Sequence, residues 1–205
     1  MIRFCNLFLF VLLMGCTSTP SKKSKDNLPN ILFLFADDYT YDAVHALGND
    51  IIHTPNLDRL VRNGTHFTQA FNMGGWNGAV CMASRAMIIT GKSIWKAKAL
   101  TDQWQNKKNF EEKENSWGKL MEKKGYQTYM SGKWHISIPV DYNHPAQHGV
   151  DFYAGAFKAS VSDYFNWDKV ENGVSSTETT YVTSDFTNDA ISWVNAQNQP
   201  WFLWL

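Results

Sequence analysis

Residues Pro29-Asn30-Ile31-Leu32-Phe33-Leu34-Phe35-Ala36-Asp37-Asp38 decide the fold. The apolar run from Ile31 to Ala36 has no polar break. It reads as a strand of a parallel sheet, buried on both faces, with Pro29 breaking the chain before it. Two acids close it. In open α/β sheets, ligands gather at the carboxyl ends of strands. Adjacent carboxylates repel each other unless something positive lies between them, and a hard divalent cation with oxygen ligands answers that need. A solvated loop or a helix cap is the other reading.

The next informative stretch is Cys81-Met82-Ala83-Ser84-Arg85, running on through Ile88 and Ile89 to Thr90-Gly91. Good helix formers follow a lone cysteine, and Gly91 supplies a helix stop. Arg85 falls one turn from Cys81 on the same helical face. The head of a helix carries unsatisfied N–H groups and the positive end of the dipole, which favour a thiolate, sulfate or phosphate. The bland alternative is a buried structural cysteine.

Farther along, Ser116 to Gly125 reads as a capped amphipathic helix and Tyr126 to Ser131 as the next strand. That strand delivers Gly132-Lys133-Trp134-His135. Lys133 and His135 are two apart, so in extended chain they face one side. Together they offer a cation and a proton carrier near neutral pH; an exposed loop is the alternative.

Other segments are assigned as framework. Asp42 to Gly48 is a short helix. His53 to Gly64 is a helix with Leu57, Leu60 and Val61 inward and Asp58 and Arg59 as surface charges; Thr65 to Asn72 follows as a strand. Met73 to Gly78 is glycine-rich, lets the backbone approach the site before Cys81, and lacks phosphate-loop spacing. Lys92 to Glu114 reads as surface loop with one short helix at most. Ser184 to Gln197 is a helix with Phe186, Ala190, Ile191 and Val194 inward. Trp201 to Leu205 opens another buried strand. His45, His53, His66, His144 and His148 read as loop or packing residues.

These elements resemble the formylglycine-dependent sulfatases of the alkaline-phosphatase superfamily. The resemblance rests on Asp37-Asp38, Cys81-Met82-Ala83-Ser84-Arg85, Thr90-Gly91, the Thr54-to-Gly64 helix, Lys133-Trp134-His135 and Gly149-Val150-Asp151-Phe152. It implies a mixed, mainly parallel sheet sandwiched by helices. It implies that Cys81 is oxidised to formylglycine, whose hydrate is the nucleophile, and that Asp37 and Asp38 bind Ca²⁺, in preference to Mg²⁺, together with the oxygen carried at Cys81. Arg85 would stabilise the hydrate, Lys133 would bind sulfate, and His135 would take the proton in the elimination step. Ala83, where many members have proline, is similar to sequences matured by the anaerobic radical-type enzyme. Ile136-Ser137 departs from the Leu-Gly usual in the family.

The start of the chain is set apart from fold reasoning. Arg3, the apolar stretch Phe4 to Met14 and Leu13-Met14-Gly15-Cys16 resemble a bacterial lipoprotein signal, with a plain secretory signal as the alternative. Residues 1–16 are thus expected to be a signal peptide, 17–28 a flexible Ser/Lys-rich tether, and 29–205 the globular part, exported and held at a membrane by lipid on Cys16. With Cys5 in the signal and Cys16 lipidated, Cys81 has no partner for a disulfide. The zero formal net charge gives no reason to expect a nucleic-acid partner.

The resemblance covers only the first half of the family's domain, so the chain reads as an N-terminal portion, inactive alone. The expected substrate is a sulfated carbohydrate. A phosphonate monoester or phosphodiester hydrolase with the same nucleophile is the nearest rival, and a non-catalytic surface lipoprotein is the rival from another class.

Overall fold

The computed structural model describes residues 28–76, 78–105, 116–136 and 141–205. The expected signal peptide, most of the tether, Cys5 and Cys16 lie outside them. One six-stranded sheet organises the rest. Its strands are β1 (Ile31–Phe33), β2 (Gln127–Ser131), β3 (Phe152–Ala156), β4 (Trp167–Glu171), β5 (Val174–Glu178) and β6 (Trp201–Trp204), in the order β1-β6-β2-β3-β4-β5. The first four neighbours in that order are mutually parallel, and β4 and β5 are added antiparallel. The sheet is mixed and mainly parallel, as expected.

Side chains alternate between the two faces with the period of two that a pleated strand imposes. Met130, Tyr153, Phe202 and Trp204 enter one core, with Ala86, Ile89, Ala97, Leu100 and Trp104 from the helices. Those helices are α2 (Cys81–Thr90), α3 (Ile94–Gln105) and α4 (Trp117–Lys124). Tyr129, Ala154 and Leu203 enter the other core, against Ala190 of α6 (Val182–Asn195). Two short helices complete the set, α1 (Pro55–Asn63) and α5 (His144–Gln147).

Several elements differ from the sequence reading. The Pro29–Ala36 run is covered on one face only. Ile31, Phe33 and Phe35 pack on the large core, while Leu32 and Leu34 are each 52% exposed. β1 is an edge strand, and Leu32 borders an open groove against Ala190, Ile191 and Val194 of α6. Residues 65–72 contain no strand; Phe67 and Phe71 project into solvent, and no neighbouring strand pairs with them. The expected loop after Lys92 contains the twelve-residue α3. Its Ile94, Ala97, Leu100, Thr101 and Trp104 are buried at helical spacing. Leu60 and Ile191 point outward, not inward.

Asp58 is buried, not a surface charge. Its carboxylate accepts from the Thr54 hydroxyl (2.8 Å) and the Ala46 N–H (3.0 Å), which fastens α1 to the turn before it.

The expected caps are present. Ser116 opens α4 by accepting from the Lys119 N–H. Gly91 and Gly125 close α2 and α4 in the left-handed conformation. Lys169 on β4 forms ion pairs with Asp185 (2.8 Å) and Asp189 (2.6 Å) of α6, tying the antiparallel hairpin to the helix beneath it.

Candidate active site

Three chain segments converge at the carboxyl edge of the parallel strands. The first is Asp37-Asp38, just past β1. The chain continues the β1–β6 pairing through the Phe35 N–H, which donates to Leu205 O at 2.7 Å. It then leaves the sheet, and Asp38 adopts a left-handed φ of 54°. That conformation suits Asp better than most non-glycine residues.

The second segment is the head of α2. Cys81 is its first residue, partly buried, and the preceding Val80 offers no capping side chain. Asn72 donates to the Ser84 hydroxyl at 2.6 Å and holds the preceding loop against the helix. A Cβ on Gly74 or Gly78 would meet nothing, and Gly74 is required by its φ of 87°.

Arg85 is 3% exposed. Its guanidinium lies over the rings of Phe35 (5.4 Å) and Trp204 (5.8 Å), which fix it from the sheet side. One terminal nitrogen donates to Lys133 O; the other lies 3.7 Å from an Asp37 oxygen. Its Nε has no partner among the described residues. Burial presses the Arg85 pKa down and the Asp37 charge opposes that. The supporting roles of Phe35 and Trp204 escaped the sequence reading, because nothing in an apolar strand marks which ring meets a cation.

The third segment is Lys133-Trp134-His135 after β2. Lys133 Nζ donates to Asp37 Oδ2 at 2.8 Å. Trp134 is fully buried. The chain is not extended throughout, since His135 has a φ of 56°. Lys133, His135, Arg85 and Asp37 nevertheless stand close enough to act on one another electrostatically. Burial, then the Lys133 and Arg85 charges, lower the His135 pKa to about 4. The ring is therefore neutral at pH 7, and its buried Nδ1 has no partner among the described residues. Burial raises the Asp37 pKa, but Lys133 and then Arg85 outweigh it and hold the carboxyl below its usual range.

Asp37, Asp38 and Cys81 each present a ligand atom, all within 4.8 Å of one another. Two carboxylates fit a hard cation, while a thiol does not; an oxygen at position 81 would complete a set of three hard donors. The structure thus brings together all six candidate residues. His144 and His148 are core residues, as expected, packed around Trp104 and Trp134.

Comparison with known proteins agrees. The chain is 31% identical over 192 residues to N-acetylglucosamine-6-O-sulfatase of Bacteroides thetaiotaomicron, which covers 91% of this chain and 31% of that protein. Human arylsulfatase D is 31% identical over 163 residues, covering 73% of this chain and 26% of that protein. A protein solved in complex with its substrate, D-glucosamine-2-N,6-O-disulfate, superposes with a TM-score of 0.64 at 30% identity, over 86% of this chain and 33% of that one. Ps i-CgsB, solved with k-i-k-neocarrahexaose, gives 0.70 at 27% identity, over 86% and 44%. The chain spans about a third of the length of these curated relatives. A model of the Sulfatase family matches residues 29–205, and over that span the chain belongs to the sulfatase family.

Proposed function

We propose that this chain carries the nucleophile, metal-binding acids and sulfate-binding cations of an enzyme that hydrolyses sulfate esters of a glycan. The observation that carries this reading is the convergence of Arg85, Lys133 and a neutral His135 on the Asp37–Asp38–Cys81 cluster. The relatives support a carbohydrate substrate, since one is named for N-acetylglucosamine and one was solved with a disulfated glucosamine.

In this reading Cys81 is converted to formylglycine by a maturation enzyme of the anaerobic radical type. Asp37, Asp38 and an oxygen at position 81 would hold Ca²⁺, which would supply Lewis-acid polarisation of the sulfate. Lys133 binds a sulfate oxygen, while Arg85 stabilises the hydrate and the charge on the metal side. His135 accepts a proton at Nδ1; it starts neutral, and a bound anion raises its basicity by offsetting the two cations beside it. Phe35 and Trp204 keep Arg85 in place. Lipid attachment at Cys16, export and anchoring at a bacterial membrane belong to the same proposal.

The test has two parts. Mass analysis of the Cys81 peptide, from protein coexpressed with a radical-type maturase, should show the mass loss of thiol-to-aldehyde conversion. In the full-length protein, parallel rates on aryl sulfates and phosphodiesters should favour the sulfate ester, and Cys81→Ala should abolish that activity. Preference for the phosphodiester would overturn the reading.

A further inference from the structure

The segment that leaves β3 runs beside the catalytic candidates. β2 and β3 are parallel neighbours in register at Ser131 and Ala154. Beyond them the Trp134 N–H donates to Ala156 O (3.0 Å) and the His135 N–H to Phe157 O (3.1 Å). The loop over residues 157–166 therefore starts one hydrogen bond from His135.

This loop encloses one side of a cavity of about 260 Å³. Its polar lining includes Lys158, Ser160, Ser162 and Asn166, with Tyr142 and Phe157 among its aromatic walls. Lys158 is paired with Asp168 at 2.9 Å, so the cavity carries hydroxyls and an amide but no uncompensated cation. That distinguishes it from the Arg85–Lys133 site, which is built for an anion.

The same loop presents an aromatic surface. Tyr164, Phe165 and Tyr181 are 60%, 62% and 42% exposed. Phe165 and Tyr181 have centroids 5.2 Å apart, and Tyr164 lies 6.3 Å from Tyr181. The main chain beneath the rings is fixed: the Val182 N–H donates to Tyr164 O at 3.0 Å, and Asp163 accepts from the Phe165 N–H at 2.7 Å. Exposed rings on the loop that also carries Ser160, Ser162 and Asn166 offer an apolar face and hydrogen-bond partners on one segment, the two surfaces a sugar ring also has.

We infer that the 157–166 loop and Tyr181 bind an uncharged pyranose unit of the glycan, next to the unit that carries the sulfate. The adjoining sulfate position rests on the sulfatase reading; the sugar site rests on its own lining. Rings on the platform and hydroxyls in the cavity would select the glycan chain, while Arg85 and Lys133 select the ester.

The experiment is a titration of the whole chain, followed by NMR, with neutral trisaccharides of glucose, galactose, N-acetylglucosamine and fucose. At least one should shift the Tyr164, Phe165 and Tyr181 signals to saturation. Tyr164→Ala/Phe165→Ala should weaken that binding roughly tenfold, with an unchanged circular dichroism melt because both rings are exposed. Ser162→Ala/Asn166→Ala gives a second variant, in the cavity instead of on the platform, and should also weaken binding. The inference fails if no trisaccharide moves these signals, or if both variants bind like the parent. It also fails if the signals move only with protein concentration, which would assign the rings to a second copy of the chain. A separate titration with inorganic sulfate reads Lys133 and His135. Trisaccharide binding without sulfate binding would break the sulfatase reading and leave the sugar site standing; the reverse would remove the sugar site alone.

Discussion

His135 and His144 are both driven to a pKa of about 4, yet they belong to regions of opposite character. At His135 burial acts together with the charges of Lys133 and Arg85, and a ring nitrogen is left without a partner. At His144 burial acts almost alone, opposed by Asp141, and Nδ1 accepts from the Trp134 indole at 3.1 Å. His148 packs against His144 and is pushed well below its usual value, by burial first and then by His144 and Lys119. Trp134 lies between Lys133 and His135 in sequence and sends its ring into the His144–His148 core. One short loop thus serves both regions. A depressed histidine pKa marks burial in either; the Lys133, Arg85 and Asp37 charges gathered around His135 mark the one that can do chemistry.

Removing the link should have the largest effect. Trp134→Ala empties a fully buried indole site and should cost about 3–5 kcal/mol, read as a shift in urea midpoint. It should also weaken sulfate binding at Lys133 and His135. Unchanged sulfate binding in a folded variant would show that the two regions are independent.

Acid comes next. The folded pKa of His144 lies below its unfolded value of 6.5, so the unfolded chain binds the proton first. This contribution is fully present above about pH 6.5 and is lost as pH falls towards 4, by roughly 3 kcal/mol. Unfolding curves at pH 7 and pH 5 should show the loss, and His144→Gln, which keeps an acceptor for Trp134, should make it shallower, leaving the part due to His135 and His148. An equally steep pH slope in that variant would move the effect to another group.

His135→Asn should separate chemistry from fold. Asparagine tolerates the left-handed backbone found at His135, so the urea midpoint should barely move. In the full-length protein, turnover of an aryl sulfate should fall about a hundredfold. The smallest effect is expected at Ser116, whose hydroxyl caps α4 and donates to His148 O. Ser116→Ala should cost about 1 kcal/mol, without changing sulfate affinity.

The site was legible because its residues stand next to strong local signals. Asp37-Asp38 ends an apolar run, Cys81 heads a helix stopped by Gly91, and Lys133 follows a strand introduced by a capped helix. The helix α3 was missed because lysines and tryptophans hid a regular spacing of Ile94, Ala97, Leu100 and Trp104. The β4–β5 hairpin was missed although Asn172-Gly173, with φ of 46° and 88°, is a two-residue turn signal. Its second strand, Val174–Glu178, is almost wholly polar and open to solvent, so it lacks the apolar alternation of a half-buried strand. The Lys169–Asp185–Asp189 cluster and the burial of Asp58 depend on partners brought together by the fold, and no local pattern encodes that. The opposite error occurred at Leu32 and Leu34, where an apolar run fixes the element but not how many of its faces are covered.

Gly155 sits where β3 passes the loop after β2. A Cβ there would overlap the carbonyl group of Gly132, one residue before Lys133, and the φ of 156° disfavours a side chain as well. Every missense change of a glycine codon adds a Cβ. At codon 155, therefore, even alanine or serine would push Lys133 off its position, and the gene has no conservative alternative to draw on.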